Sequence, residues 1–167
     1  GTYPDRDRPG GYDAYSDTMT HFFRDVRKDL NAPKLPFVIG VLGVGGPVDE
    51  YGPDQQRFKA VHQNFRLAMA APSELPEFKG NVAALWTEKY WDQELSAARA
   101  KENAIKQQAK KLATERKLSP AEEKALQEKH RLDGLTLRER QILDKGISNQ
   151  EYHYLGSAKI IGRIGKG

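Results

Sequence analysis

Pro36-Phe37-Val38-Ile39-Gly40-Val41-Leu42-Gly43 is a continuous apolar run rich in β-branched residues. It is too short for a helix of ordinary length and carries no polar alternation, so it reads as a strand buried on both faces of a parallel sheet. The glycines that follow, Gly43, Gly45 and Gly46, mark a tight exit loop. A helix is expected next, from Asp54 as N-cap to Ala70, with Phe58, Val61, Phe65 and Met69 on one face. Pro72 and Pro76 close it, and Asn81 to Thr87 reads as a second buried strand. Strand, helix and strand in this order make a unit whose crossover should be right-handed. The fold class is therefore α/β.

Upstream, the Pro-, Gly-, Asp- and Arg-rich stretch from Gly1 to Gly11 reads as a loop. Tyr15, Met19, Phe22, Phe23, Val26 and Leu30 then recur at spacings of three and four, which predicts a helix from about Asp13 to Leu30, ended by Asn31-Ala32-Pro33. Downstream, Leu95 to Asp144 is dominated by Lys, Arg, Glu and Gln and has no aromatic residue. Its narrow apolar stripe, Leu95, Ala98, Ile105, Ala109 and Leu112, predicts a long charged helix. Ser119-Pro120-Ala121-Glu122 is a helix-start pattern, and Thr136 with Glu139 repeats it, so the stretch is expected to fold back as a helical hairpin. Ser157 would cap a final helix holding Ile160, Ile161 and Ile164. The expected organisation is a partial α/β domain over 1–94, a charged helical arm inserted over 95–146, and a return to the first domain over 147–167. Two parallel strands are not a self-sufficient core, so further strands are expected upstream of Gly1.

The 167 residues are 38% hydrophobic and 30% charged, with a mean hydropathy of −0.75. A net charge of +4 is modest, and bases alternate with acids, which argues against a nucleic-acid partner. The absence of cysteine excludes disulfides and thiolate metal sites, and no apolar run is long enough to span a membrane.

One segment stands out chemically: Glu151-Tyr152-His153-Tyr154-Leu155-Gly156-Ser157-Ala158-Lys159. A neutral imidazole titrates near working pH, so His153, on a loop leading into the last helix, is suited to take a proton from a nucleophile. His21, His62 and His130 lack metal-ligand spacing and read as surface or packing residues. Gly43-Val44-Gly45-Gly46 follows a strand but lacks both the P-loop lysine and the full GxGxxG spacing. It reads as a tight turn at the carboxyl edge of the sheet, where Gly45 and Gly46 would lie beside a ligand cleft. Trp86, Tyr90 and Trp91 suit either stacking on a sugar ring or packing where strand meets arm, and packing is favoured.

Four segments, in this order and spacing, carry a resemblance: Phe23-Arg24-Asp25-Val26-Arg27-Lys28-Asp29-Leu30, Leu35-Pro36-Phe37-Val38-Ile39-Gly40, Phe78-Lys79-Gly80-Asn81-Val82, and Tyr152-His153-Tyr154-Leu155-Gly156-Ser157-Ala158-Lys159. The chain resembles the C-terminal half of the sialate O-acetylesterases, carbohydrate acetylesterases of the SGNH (GDSL-like) serine hydrolases. The resemblance implies a flavodoxin-like three-layer α/β/α sandwich with parallel strands, an acetylated carbohydrate substrate, no cofactor, and export from the cytoplasm. It assigns His153 as general base; Tyr154, with Gly45 and Gly46, completes the set of candidate substrate-binding residues. Many of these enzymes hold an aspartate three residues before the histidine; here that position is Gln150, and Glu151 is the acidic candidate. The family's Gly-Gln-Ser-Asn nucleophile block is not present, so the chain by itself is expected to be inactive.

Two other classes have support in the residues. Leu135 to Leu143 followed by Gly146 to Glu151 is similar to the opening of a LuxR-type helix-turn-helix, but the connection is three residues shorter than that pattern. The charged arm would also suit a protein-interaction module.

Overall fold

The computed structural model describes residues 5–145 and 151–166, and no side chain of 151–153. It is a mostly helical α/β structure with a two-stranded parallel sheet and six α-helices among the described residues. The chain divides into two compact units, 1–91 with 164–167, and 92–163.

In the first unit, helix α1 (Asp13–Asp29) precedes strand β1 (Phe37–Val41), α2 (Lys59–Ala70) and strand β2 (Val82–Trp86). The strands pair in parallel register, from Phe37 opposite Val82 to Val41 opposite Trp86. Phe23 of α1, Ala70 at the end of α2, Phe78, and the strand residues Ile39, Val41 and Val82 form the core. The ring of Phe23 stacks on Phe37 at 4.4 Å and meets Phe78 edge-on at 5.7 Å. Each such buried side chain contributes about 1.5 to 3 kcal/mol through apolar burial.

Two expectations are corrected here. The helix between the strands does not begin at an Asp54 cap: Pro53–Phe58 is a 3-10 segment and α2 begins only at Lys59, without a side-chain cap. The continuous apolar run of β1 is buried on one face only. Ile39 and Val41 point into the core, whereas Val38 is 72% exposed and nothing lies within 4 Å of where a Cβ on Gly40 would be. Hydrophobicity alone cannot distinguish a strand already covered on both sides from one whose second face is open.

The entry to both strands is fastened by a buried arginine. Arg27 donates twice to the Leu35 carbonyl, at 3.1 and 2.9 Å, and once to Asn81 Oδ1 at 2.7 Å. Its guanidinium also lies over the Phe37 and Phe78 rings, at 5.5 and 5.0 Å. Three separate stretches of the chain, 23–30, 35–40 and 78–82, meet at this one side chain.

The second unit is helical. Asp92 caps α3 (Gln93–Glu115), accepting from the Leu95 N–H, and α3 packs along α4 (Pro120–Gly134) and α5 (Leu137–Asp144), which is the expected hairpin. Both predicted capping boxes form, Ser119 with Glu122 and Thr136 with Glu139. Ser157 accepts from the Ile160 N–H at 3.4 Å at the start of α6 (Ala158–Ile164).

Candidate functional site at the carboxyl edge of the strands

Gly43 to Gly46 forms a tight turn closed by a 3.0 Å hydrogen bond from the Gly46 N–H to the Gly43 carbonyl. Gly45 has φ +82°, while Val44 has no positive φ, so the turn is of type II, in which the third position favours glycine. Gly43 serves another need. A Cβ there would lie 2.4 Å from the Glu88 backbone nitrogen and 2.5 Å from the Thr87 carbonyl carbon, so the exits of the two strands touch at this residue. Thr87 Oγ1 donates to the Val41 carbonyl at 2.6 Å and ties the same two exits together.

Behind the turn lies a buried polar cluster. The Val44 carbonyl accepts from Tyr51 Oη at 2.9 Å and from Arg66 Nη2 at 2.7 Å. Arg66 Nη2 also reaches Tyr51 Oη at 3.2 Å, and Nη1 pairs with Glu88 just after β2. His62, one helical turn before Arg66 on α2, places Nδ1 2.7 Å from Tyr51 Oη. The phenol has a single proton. Because Tyr51 donates it to Val44, His62 must donate from Nδ1, which defines its neutral tautomer. Phe58 stacks on the imidazole at 5.7 Å. Burial pushes the His62 pKa below the ordinary histidine value, and the Arg66 charge pushes it the same way.

His62 is thus a packing residue, as its sequence context implied, though its packing is polar. Phe58, His62 and Arg66 follow one another at local spacings of four, whereas Tyr51, Val44 and Glu88, which this face also meets, come from other segments and left no local signal.

Of the predicted site residues, Gly45 and Gly46 sit together and are buried; the Gly45 Cβ direction points at Tyr51 Oη, 3.0 Å away, and Gln55 Nε2, 3.1 Å away. Glu151, His153 and Tyr154 share the 3-10 segment Glu151–Gly156 in the second unit, and the side chains of Glu151 and His153 lie outside the described residues, as does Gln150. Directly after His153 the backbone turns left-handed for three residues, Tyr154 at φ +49°, Leu155 at +56° and Gly156 at +63°. Two of these are not glycine, and each costs about 1 kcal/mol or more in that conformation. The turn is held by Leu155, 2% exposed, and by a 3.0 Å hydrogen bond from the Ser157 N–H to the Tyr154 carbonyl. Trp91 is buried, and Trp86 packs against the core, in keeping with the packing expectation for both.

The second unit holds a charge cluster inside the hairpin. Glu102, 4% exposed, is paired with Arg99 at 3.3 Å, Lys106 at 3.2 Å and Arg131 at 3.0 Å. Burial pushes its carboxyl pKa up, but the hydrogen bonds from Arg131 and Lys106 and the nearby charges outweigh this and hold it below the usual glutamate value. A cavity of about 260 Å³ lies in the same unit, lined by residues that include Asp92, Leu95, Ile142, Lys145, Ser157 and Lys159. The Lys159 ammonium pairs with Asp92 at 3.0 Å beside it.

Among the described residues no group of three or more His, Cys, Asp or Glu could hold a metal ion, and no helix is long and apolar enough to cross a membrane. The chain matches no protein-family model, no curated protein and no solved structure.

Proposed function

We propose that this chain is part of a serine esterase of the SGNH type, in which a three-layer α/β/α sandwich presents His153 as general base for the removal of O-acetyl groups from carbohydrate. The observation that carries the reading is the left-handed turn at Tyr154, Leu155 and Gly156, immediately after the histidine. Backbone strain of this kind persists only where surrounding structure holds it, and it concentrates where a side chain must be aimed. The parallel strand pair of the first unit agrees with an α/β class of fold.

In this reading His153 takes the proton of a serine hydroxyl supplied by a segment outside this sequence. The alkoxide attacks the acetyl carbonyl, and His153 returns the proton to the departing sugar oxygen. The histidine then deprotonates a water molecule, which attacks the acetyl-serine, and the proton passes to the serine as acetate leaves. Glu151 is the candidate to orient the imidazole.

The test is hydrolysis of an acetylated chromogenic ester by the protein that carries this chain together with its nucleophile, with and without His153→Ala. A loss of about 10⁴-fold in kcat with the fold preserved is expected. Unchanged turnover would remove His153 from the chemistry and favour an interaction role for the charged hairpin.

A further inference from the structure

We infer that Arg66 is a positioning residue for the carboxyl edge of the sheet: one buried guanidinium fastens the loop after β1 to the segment after β2 and so fixes the shape of that edge. Its bearing on catalysis rests on the esterase reading; its bearing on the loop does not.

Arg66 is 1% exposed and reaches both exits, Val44 on one side and Glu88 on the other, 22 residues away in each direction. The planar guanidinium suits this because its donors leave in fixed, diverging directions, which a lysine ammonium cannot reproduce. Tyr51 closes the cluster by adding a second donor to the Val44 carbonyl and accepting from Arg66 and His62. The backbone between these anchors carries the 3-10 turn Val48–Glu50, whose Asp49 and Glu50 are exposed. Holding Val44 and Tyr51 therefore determines where this acidic turn stands at the edge.

Stability alone does not call for such an arrangement. Taking the Arg66 guanidinium out of water costs several kcal/mol, which the partly exposed Glu88 offsets only in part, and an apolar side chain of equal volume is often as stable. Arg66 Nε is also buried with no hydrogen-bond partner among the described residues, a further cost. What an ion pair with directional hydrogen bonds supplies, and an apolar pair does not, is a single loop conformation.

The experiment uses the protein that carries this chain with its nucleophile, and compares Arg66→Lys and Tyr51→Phe with the parent. Two readouts are taken: kcat and KM on an acetylated chromogenic ester, and amide hydrogen exchange resolved by residue. Arg66→Lys keeps the charge and loses the fork; Tyr51→Phe keeps the ring and loses the hydroxyl, and serves if the lysine variant does not fold. We expect exchange at 43–51 to accelerate at least about tenfold while that of the two strands is unchanged, and kcat to fall about tenfold to a hundredfold with little change in KM. Exchange that rises equally in loop and strands would overturn the inference, and a loosened loop with unchanged kcat would overturn its bearing on catalysis while upholding the clamp. If the parent has no esterase activity, the esterase reading fails, and exchange alone decides: acceleration confined to 43–51 upholds the clamp, and its absence overturns it.

Discussion

Arg27 and Asn81, 54 residues apart in the chain, are joined by a 2.7 Å hydrogen bond at the amino end of the strand pair. Asn81 immediately precedes β2, and the Leu35 carbonyl that accepts from the same guanidinium lies just before β1. The entries of both strands are therefore set by the last turn of α1, as their exits are set by Arg66 on α2. Replacing Arg27 by alanine should cost about 2 to 4 kcal/mol, because it leaves the Leu35 carbonyl and the Asn81 amide unpaired and removes the cover over Phe37 and Phe78. Urea unfolding would measure this, and Arg27→Lys should recover less than half of the loss. Full recovery by lysine would show that charge alone matters.

The glycines near β1 divide by what surrounds them. Gly43→Ala drives a Cβ into the Thr87 and Glu88 backbone, which cannot yield as a side chain can, and should destabilise the first unit by about 3 kcal/mol. Gly40→Ala meets open space in a strand and should be neutral or stabilise by about 0.5 kcal/mol. Thermal unfolding of both variants provides the check; equal melting temperatures would contradict the contact between the strand exits.

His62 makes stability depend on pH with a definite sign. Its pKa is lowered in the folded chain, by burial first and by Arg66 second, so between the folded value and the unfolded value of about 6.5 the unfolded chain binds more protons. The His62 contribution is thus present above about pH 6.5 and is lost as pH falls through the folded value. His62→Gln should flatten that part of the stability profile, measured by urea unfolding at a series of pH values. A profile unchanged by the substitution would mean that the imidazole is not held neutral by its surroundings.

In the second unit Glu102 is a buried carboxylate paired with three cations. Glu102→Gln removes the carboxylate charge that Arg99, Lys106 and Arg131 share in the hairpin and should cost it about 2 kcal/mol. Because the Glu102 pKa is lowered in the folded state, its stabilisation is present above the ordinary glutamate range and disappears as pH falls through the folded value. Glu102→Gln should therefore be less stable at neutral pH but flatten this acid limb of the stability profile, measured by urea unfolding at a series of pH values; an unchanged acid limb would contradict the pairing.

Local features of the structure were legible in the residues because local forces produce them. The apolar spacing of α1, the capping boxes at Ser119 and Thr136, and the serine before α6 each involve groups within a few residues of one another. The glycine turn after β1 could be read for the same reason. Asp54 misled as a cap because a 3-10 segment, begun by Pro53, takes up the residues before α2.

Residue order was enough to read an α/β chain, a parallel strand pair linked through a helix, a charged stretch that folds back on itself, and a histidine, His153, set apart as a chemical group. The covering of β1 on one face, the fastening of opposite strand ends by Arg27 and Arg66, the meeting of His62 with Tyr51 and the burial of Glu102 among cations became visible only in three dimensions. Helical period and capping act between near neighbours and leave a mark in residue order. Arg99 and Lys106 meet Glu102 within one helical turn, but Arg131 reaches it, and Arg66 reaches Glu88, across tens of residues, and no local pattern records those pairs.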